Sequence, residues 1–213
     1  MSFEKNLYQV VKKALPKELC VFIDTEMEML KKVSYLNAGV NENDVSFFQD
    51  SQCKNSFPYY GSFCTETLGQ YLQPKMEEVT GKTLYPTYSY MRIYYTGSDM
   101  ARHTDRPSCE YSATVCISNN PEPWEIWFET LDGKSKAIYL EPGDMIVYKG
   151  DVLPHWRDEY KGNRQTQIFV HYVDALGKYR DYKFDHRPYL AFPSGSRNSN
   201  YKLSTVPDLK NLK

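Results

Sequence analysis

The chain predicts an α+β fold in which helices come first and a barrel or double-sheet β core follows. Three observations carry this. Apolar residues recur at helical spacing as far as Gly81. From about residue 84 the apolar period becomes two. No helical pattern separates the strand-like runs that follow. The length, 213 residues, suits one domain. A chain of this size buries roughly 70% of the surface it exposes when unfolded, so it needs no disulfide or metal to hold a core.

Phe3, Leu7, Val10, Val11 and Ala14 suggest a first helix, and Leu19, Phe22, Ile23, Met27, Leu30 and Val33 a second. Pro16 suits the first turn of that second helix, where its missing N–H is not needed. Residues 37–61 are rich in turn formers and read as a long loop. Leu68, Leu72, Met76 and Val79 mark a further helix that Gly81 stops, with Pro74 inside it as an expected kink or split. LYPTYSYMRIYY, EYSATVCIS, WEIWFET, KAIYLE, DMIVYK and QTQIFVHYV then read as six strands. Glu141-Pro142-Gly143-Asp144 is a tight reversal with Pro-Gly turn chemistry. Beyond 175 basic residues outnumber acidic ones, and the stretch reads as a polar, solvated extension.

Net charge is −1, so no overall field favours nucleic acid or an anionic membrane, and neither is expected as a partner. The five cysteines form no C-x-x-C pair and suggest neither a disulfide framework nor a zinc ribbon; Cys109 and Cys116 read as free thiols. The charged N-terminal stretch lacks the apolar region of a signal peptide, and a cytoplasmic location is expected. The oligomeric state is not legible.

His103 and Asp105 are two apart, so on an extended segment they share a face and can reach one metal ion together. The pair alone is a common chance pattern. His155, His171 and His186 are the candidates for a third ligand, His171 reading otherwise as a structural histidine and His186 as exposed. Two histidines and a carboxylate on one face of an octahedral ion leave three positions open, the arrangement of non-haem Fe(II) oxygenases. Nine residues after His155 comes Arg164, whose planar fork matches a carboxylate, and Thr166 shares its side of the strand. Together they make a plausible seat for a dicarboxylate.

Tyr94-Tyr95-Thr96-Gly97 followed by His103 and Asp105, and Pro142-Gly143-Asp144 followed by Tyr148, His155 and Arg164, resemble the core of the Fe(II)/2-oxoglutarate-dependent dioxygenases. The likeness is strongest to their prolyl-4-hydroxylase-like branch and covers about residues 84–173. It implies a double-stranded β-helix (jelly-roll, cupin-like) core at 82–175. A helical support layer at 1–81 and a basic extension at 176–213 complete a single domain. It further implies His103, Asp105 and His155 as iron ligands and Arg164, assisted by Thr166, as the anchor of the cosubstrate's C5 carboxylate. Tyr94 is the implied cosubstrate contact, with Tyr95 the runner-up because a one-residue slip inverts the faces.

The implied requirements are Fe(II), 2-oxoglutarate and O2, with ascorbate a candidate addition. The implied activity is hydroxylation of an unactivated C–H bond, giving succinate and CO2, on a prolyl or other peptidyl side chain. Alternatives are a free amino acid or small metabolite, or a cupin-like metal-binding module without 2-oxoglutarate turnover. Arg92 shares the face of Tyr94 and is a further candidate for the site. Arg106 and its neighbours read either as lining for the substrate entrance or as a turn with an Arg–Glu pair. Trp127 and Trp156 are candidate substrate walls, and the loop at 37–61 and the stretch after 175 are candidate covers.

Overall fold

In the computed structural model, which describes residues 3–119 and 122–195, two antiparallel sheets pack face to face with helices on the outer side of the larger one. The elements are α1 (Phe3–Asn6), β1 (Tyr8–Val11), α2 (Lys17–Ala38), β2 (Ser56–Tyr60), α3 (Phe63–Thr80), β3 (Leu84–Tyr95) and β4 (Met100–His103). There follow β5 (Tyr111–Ser118), β6 (Ile126–Glu129), β7 (Ser135–Ile138), β8 (Met145–Lys149), β9 (His155–Arg157) and β10 (Arg164–Asp174). The large sheet runs β1-β8-β5-β10-β3-β2 and the small one β4-β9-β6-β7. Among the described residues, no helix is long and apolar enough to cross a membrane.

The expected first helix is overturned. It stops after one turn at Leu7, whose φ is +58°, and Tyr8–Val11 becomes an edge strand paired with β8. Tyr8, Val10 and Val11 are aromatic and β-branched, and the pleated surface suits their stiff side chains better than a helix does. The loop expected at 37–61 also yields a strand, β2, on the opposite edge beside β3. The N-terminal third is therefore not helical alone: it supplies both edges of the large sheet. α3 runs through Pro74, because the carbonyl left without its helical donor, that of Gln70, lies on a half-exposed face.

Alternation along each strand divides the large sheet into two faces. Met91 and Ile93 of β3, Val115 of β5, and Ile168 and Val170 of β10 face α2 and α3, packing against Ile23, Met27, Leu68 and Leu72. Each side chain of that size contributes about 1.5–3 kcal/mol on burial. The opposite face looks toward the small sheet, where Ile146 and Tyr148 meet Ile126 and Phe128. Gly143 has φ +93° in the expected reversal, where the Asp144 N–H donates to the Glu141 carbonyl at 2.8 Å. A β-carbon at Gly143 would lie 2.6 Å from the Leu15 carbonyl oxygen, so this turn also admits the chain just before α2.

The stretch after 175, expected to be solvated, is docked as far as it is described. Arg180–His186 forms a short 3-10 segment, and buried Arg187 pairs with buried Glu66 of α3 at 2.7 Å. Residues 196–213 of the expected extension lie outside the described residues.

Candidate active site

β4 and β9 pair antiparallel with His103 opposite His155, which places the two imidazoles side by side, ring centroids 4.4 Å apart. Asp105 lies two residues beyond the end of β4, its backbone N–H donating to the Gly150 carbonyl at 2.8 Å. One oxygen of Asp105, Oδ1, lies 3.6 Å from Nε2 of each histidine. The three ligand atoms fall within 4.8 Å of one another, a spacing that fits one ion.

Each histidine is prepared for that role by its own backbone. Nδ1 of His103 is 2.8 Å from the Ala101 carbonyl, and Nδ1 of His155 is 3.0 Å from that of Leu153. A carbonyl only accepts, so Nδ1 carries the proton in both rings and Nε2 keeps its lone pair. Burial depresses the pKa of His155, which favours the neutral, ligating form.

The carboxylate is oriented as carefully. Its second oxygen, Oδ2, accepts from the Ser112 hydroxyl at 3.1 Å, and Ser112 is 2.8 Å from Nδ1 of His171. His171 is buried and its pKa is pushed down to about 4 by desolvation, so the ring is neutral. Ser112 has one proton, directed at Asp105 Oδ2 or the Cys109 carbonyl, both at 3.1 Å, and its oxygen can then accept from the Nδ1–H tautomer of His171. The chain His171–Ser112–Asp105 thus holds Oδ2 and leaves Oδ1 for a metal. His171, expected to be structural, is buried and hydrogen-bonded, and it also lines the cavity. Gly150 is required beside it, since a β-carbon there would sit 2.3 Å from Asp105 Oδ2.

These groups line a cavity of about 520 Å³. Tyr88, Tyr90 and Arg92 of β3 and Phe169 and His171 of β10 form one wall, with Gln52, Arg106 and Asp185 toward the mouth. Arg106 pairs bidentately with Asp185 at 2.9 and 2.8 Å and not with Glu110, which binds Lys149. Both expected covers thus reach the cavity, through Gln52 and Asp185. Trp127 and Trp156 do not line it; they pair with each other, centroids 6.0 Å apart, at half-exposed positions that alternate with inward-facing Phe128 and His155.

The expected cosubstrate anchor is not in this cavity. Arg164 and Thr166 share a face, but it is the face toward α2. Arg164 binds Asp24 at 2.7 and 3.0 Å and Glu28 at 2.7 Å, and Thr166 donates to Asp24 at 2.7 Å. The reason is parity: Phe169 and His171 face the cavity, so the even-numbered residues of β10 face the helices. Tyr94 does face between the sheets and packs on Trp124, whereas Tyr95 accepts from Lys31 on the helix side.

The interior carries polar atoms without a partner among the described residues. The Tyr94 hydroxyl, the Gln165 side-chain carbonyl and Nε of both Arg92 and Arg157 are buried without a partner. Arg157 is the most exposed to this cost. It is two residues after His155 on the same face of β9, its Nη1 donates to the Trp124 carbonyl at 3.0 Å, and among the described residues no carboxylate pairs with it. A buried guanidinium without a counter-charge costs several kcal/mol. The Arg157 guanidinium also lies over the Trp124 ring, 4.7 Å from the centroid.

No family model matches the chain, and no curated protein sequence matches it. Solved structures do. A prolyl-4-hydroxylase from Pseudomonas putida superposes with a TM-score of 0.61 at 10% identity, covering 81% of this chain and 95% of that one. HygX from Streptomyces hygroscopicus, crystallised with nickel and 2-oxoglutarate, superposes with a TM-score of 0.61 at 11% identity over 82% and 85%. A 2OG-Fe(II) oxygenase family protein from Burkholderia pseudomallei gives 0.57 at 13% over 78% and 84%. This is the fold of the 2-oxoglutarate/Fe(II) oxygenases. Within that oxygenase fold, two residues of weight here were not singled out from the sequence. Gln52 lies in a turn-rich loop and Arg157 directly follows a tryptophan, and neither stands in a recognisable motif.

Proposed function

We propose that the chain is an Fe(II)- and 2-oxoglutarate-dependent dioxygenase that hydroxylates an unactivated C–H bond, with succinate and CO2 as co-products. The two facing sheets are read as a double-stranded β-helix, with residues 82–175 as the catalytic core. The observation that carries the proposal is the convergence of His103, Asp105 and His155 at one cavity, with both imidazole Nε2 lone pairs directed by backbone hydrogen bonds.

His103, Asp105 and His155 would hold the metal. Arg157 would take the distal carboxylate of the cosubstrate, with Tyr94 and Gln165 offering polar atoms without a partner among the described residues. All three are buried and stand outside the lining of the cavity, so the cosubstrate would have to reach past that lining. A buried fork with no carboxylate partner among the described residues gains more from a carboxylate than Arg164, which already binds Asp24 and Glu28. Bound there, the metal and cosubstrate supply the activation of O2 that an unactivated C–H bond demands. The chain's own part is positioning and exclusion of water. Phe128 and Tyr148 pack their rings on His155, centroids 5.7 and 4.9 Å away, and shield its inner side.

The cavity volume suits one side chain or a small metabolite. We read the substrate class as a peptidyl side chain or a free small molecule. Both fit the neighbours, one a prolyl-4-hydroxylase and one crystallised with hygromycin B.

The test is anaerobic Fe(II) titration with and without 2-oxoglutarate, followed by succinate measurement in air. A weak visible band that appears only with both, and succinate in air, are expected. Arg157→Lys keeps the charge and loses the fork, so iron should be retained while 2-oxoglutarate binds about tenfold or more weakly. A folded wild-type protein that shows neither band nor succinate would sink the dioxygenase reading.

A further inference from the structure

We propose that Gln52 gates the metal position: its amide occupies the nitrogen of His103 that would ligate the ion, and it must swing away before the ion can bind. The inference rests on the reading of His103 as a ligand.

Nε2 of His103 carries the ring's lone pair, because Nδ1–H is committed to the Ala101 carbonyl. The Gln52 side-chain nitrogen lies 3.0 Å from that Nε2. The orientation of the amide is fixed from its other end, where Oε1 accepts from Arg92 Nη2 at 3.1 Å. The reverse orientation would set a carbonyl oxygen against a lone pair and a nitrogen donor against a guanidinium. Gln52 therefore donates to His103. One lone pair cannot serve an N–H and a metal ion together, so the hydrogen bond and the coordination bond exclude each other.

The hinge of this gate is visible as well. Asp50 accepts from Arg92 and Tyr90 through its side chain, and also from the backbone N–H groups of Gln52 and Cys53, at 2.9 Å each. The strap is thereby pinned at Asp50, while the exposed Gln52 side chain is held by its hydrogen bonds with His103 and Arg92. Opening costs the hydrogen bond to His103 and the one from Arg92.

Loss of the free Mn(II) paramagnetic resonance signal reads metal binding without any turnover. Wild type, Gln52→Ala and Gln52→Leu are compared, with circular dichroism melts confirming that each is folded. Both variants should bind Mn(II) roughly three- to tenfold more tightly, the worth of the hydrogen bond no longer competing. Leucine keeps the bulk and removes the donor, so tighter binding by Gln52→Leu ties the effect to the hydrogen bond. If either folded variant binds Mn(II) no more tightly than wild type, the gate is overturned, and weaker binding would make Gln52 a ligand instead. Should folded wild type bind no Mn(II) at all, the ligand reading falls and takes the gate with it.

Discussion

Arg164 Nη2 lies 2.7 Å from Asp24 Oδ1, on the opposite face of β10 from the cavity. With Glu28 one helical turn further on, Asp24 makes Arg164 a clamp between α2 and the large sheet. Arg164→Ala should therefore destabilise the fold by about 2–4 kcal/mol, because it strands two half-buried carboxylates. Its 2-oxoglutarate affinity, measured on the folded fraction, should be that of wild type. Chemical denaturation and cosubstrate titration read the two quantities separately, and a normal stability with lost cosubstrate affinity would return Arg164 to the site.

The same clamp predicts an acid dependence. Burial acts to raise the pKa of Asp24, but Arg164, Thr166 and Ser118 outweigh it and hold the group below its ordinary 3.8. A carboxyl depressed in the folded state contributes its full stability above the unfolded pKa and loses it as pH falls through the folded value. Asp24→Asn should be less stable than wild type by about 1.5–3 kcal/mol at pH 7. The gap should close below about pH 3.8. Urea melts of both proteins from pH 7 to 2.5 would show it, and a gap that does not change with pH would refute the assignment.

Ser112 touches no metal ligand atom that faces the ion, yet it holds the far oxygen of Asp105. Ser112→Ala should weaken Mn(II) binding about 10- to 100-fold, the usual cost of losing a partner behind a ligand. The thermal midpoint without metal should move far less. An unchanged Mn(II) affinity would show that Asp105 needs no such support.

Gly150→Ala places a carbon where Asp105 Oδ2 and the Cys109 carbonyl now lie, 2.3 and 2.5 Å away. The carboxylate must rotate or the turn must shift. Loss of Mn(II) binding in a variant that still gives a native circular dichroism spectrum is the expected result. Retained affinity would mean that the turn yields instead of the ligand.

Much of the architecture was legible because burial writes a period into a strand. The run 84–95 coincides with β3, and five further runs fall on β5, β6, β7, β8 and β10. The strands that present the ligands, β4 and β9, were not legible. They are four and three residues long, too short for a period to show, and each mixes apolar with charged residues. The i, i+2 rule placed Arg164 and Thr166 together but could not say on which face, since both faces of β10 are buried and carry no alternation to read. Asp24 and Glu28, carboxylates four apart on α2, were the unread signal that this helix had a cation to meet.

β10 is a central strand of the large sheet, lying between β5 and β3, although it is the last of the described strands to be made. Until residue 174 has left the ribosome, β3 and β5 face an unfilled slot, each with a row of backbone donors and acceptors open to a foreign strand. A fragment ending before 164 lacks the strand that joins β5 to β3 and should aggregate in place of folding. Folding of this kind waits on contacts distant in sequence and is correspondingly slow. His171 arrives with the same strand, so the carboxylate relay is completed only when the sheet itself closes.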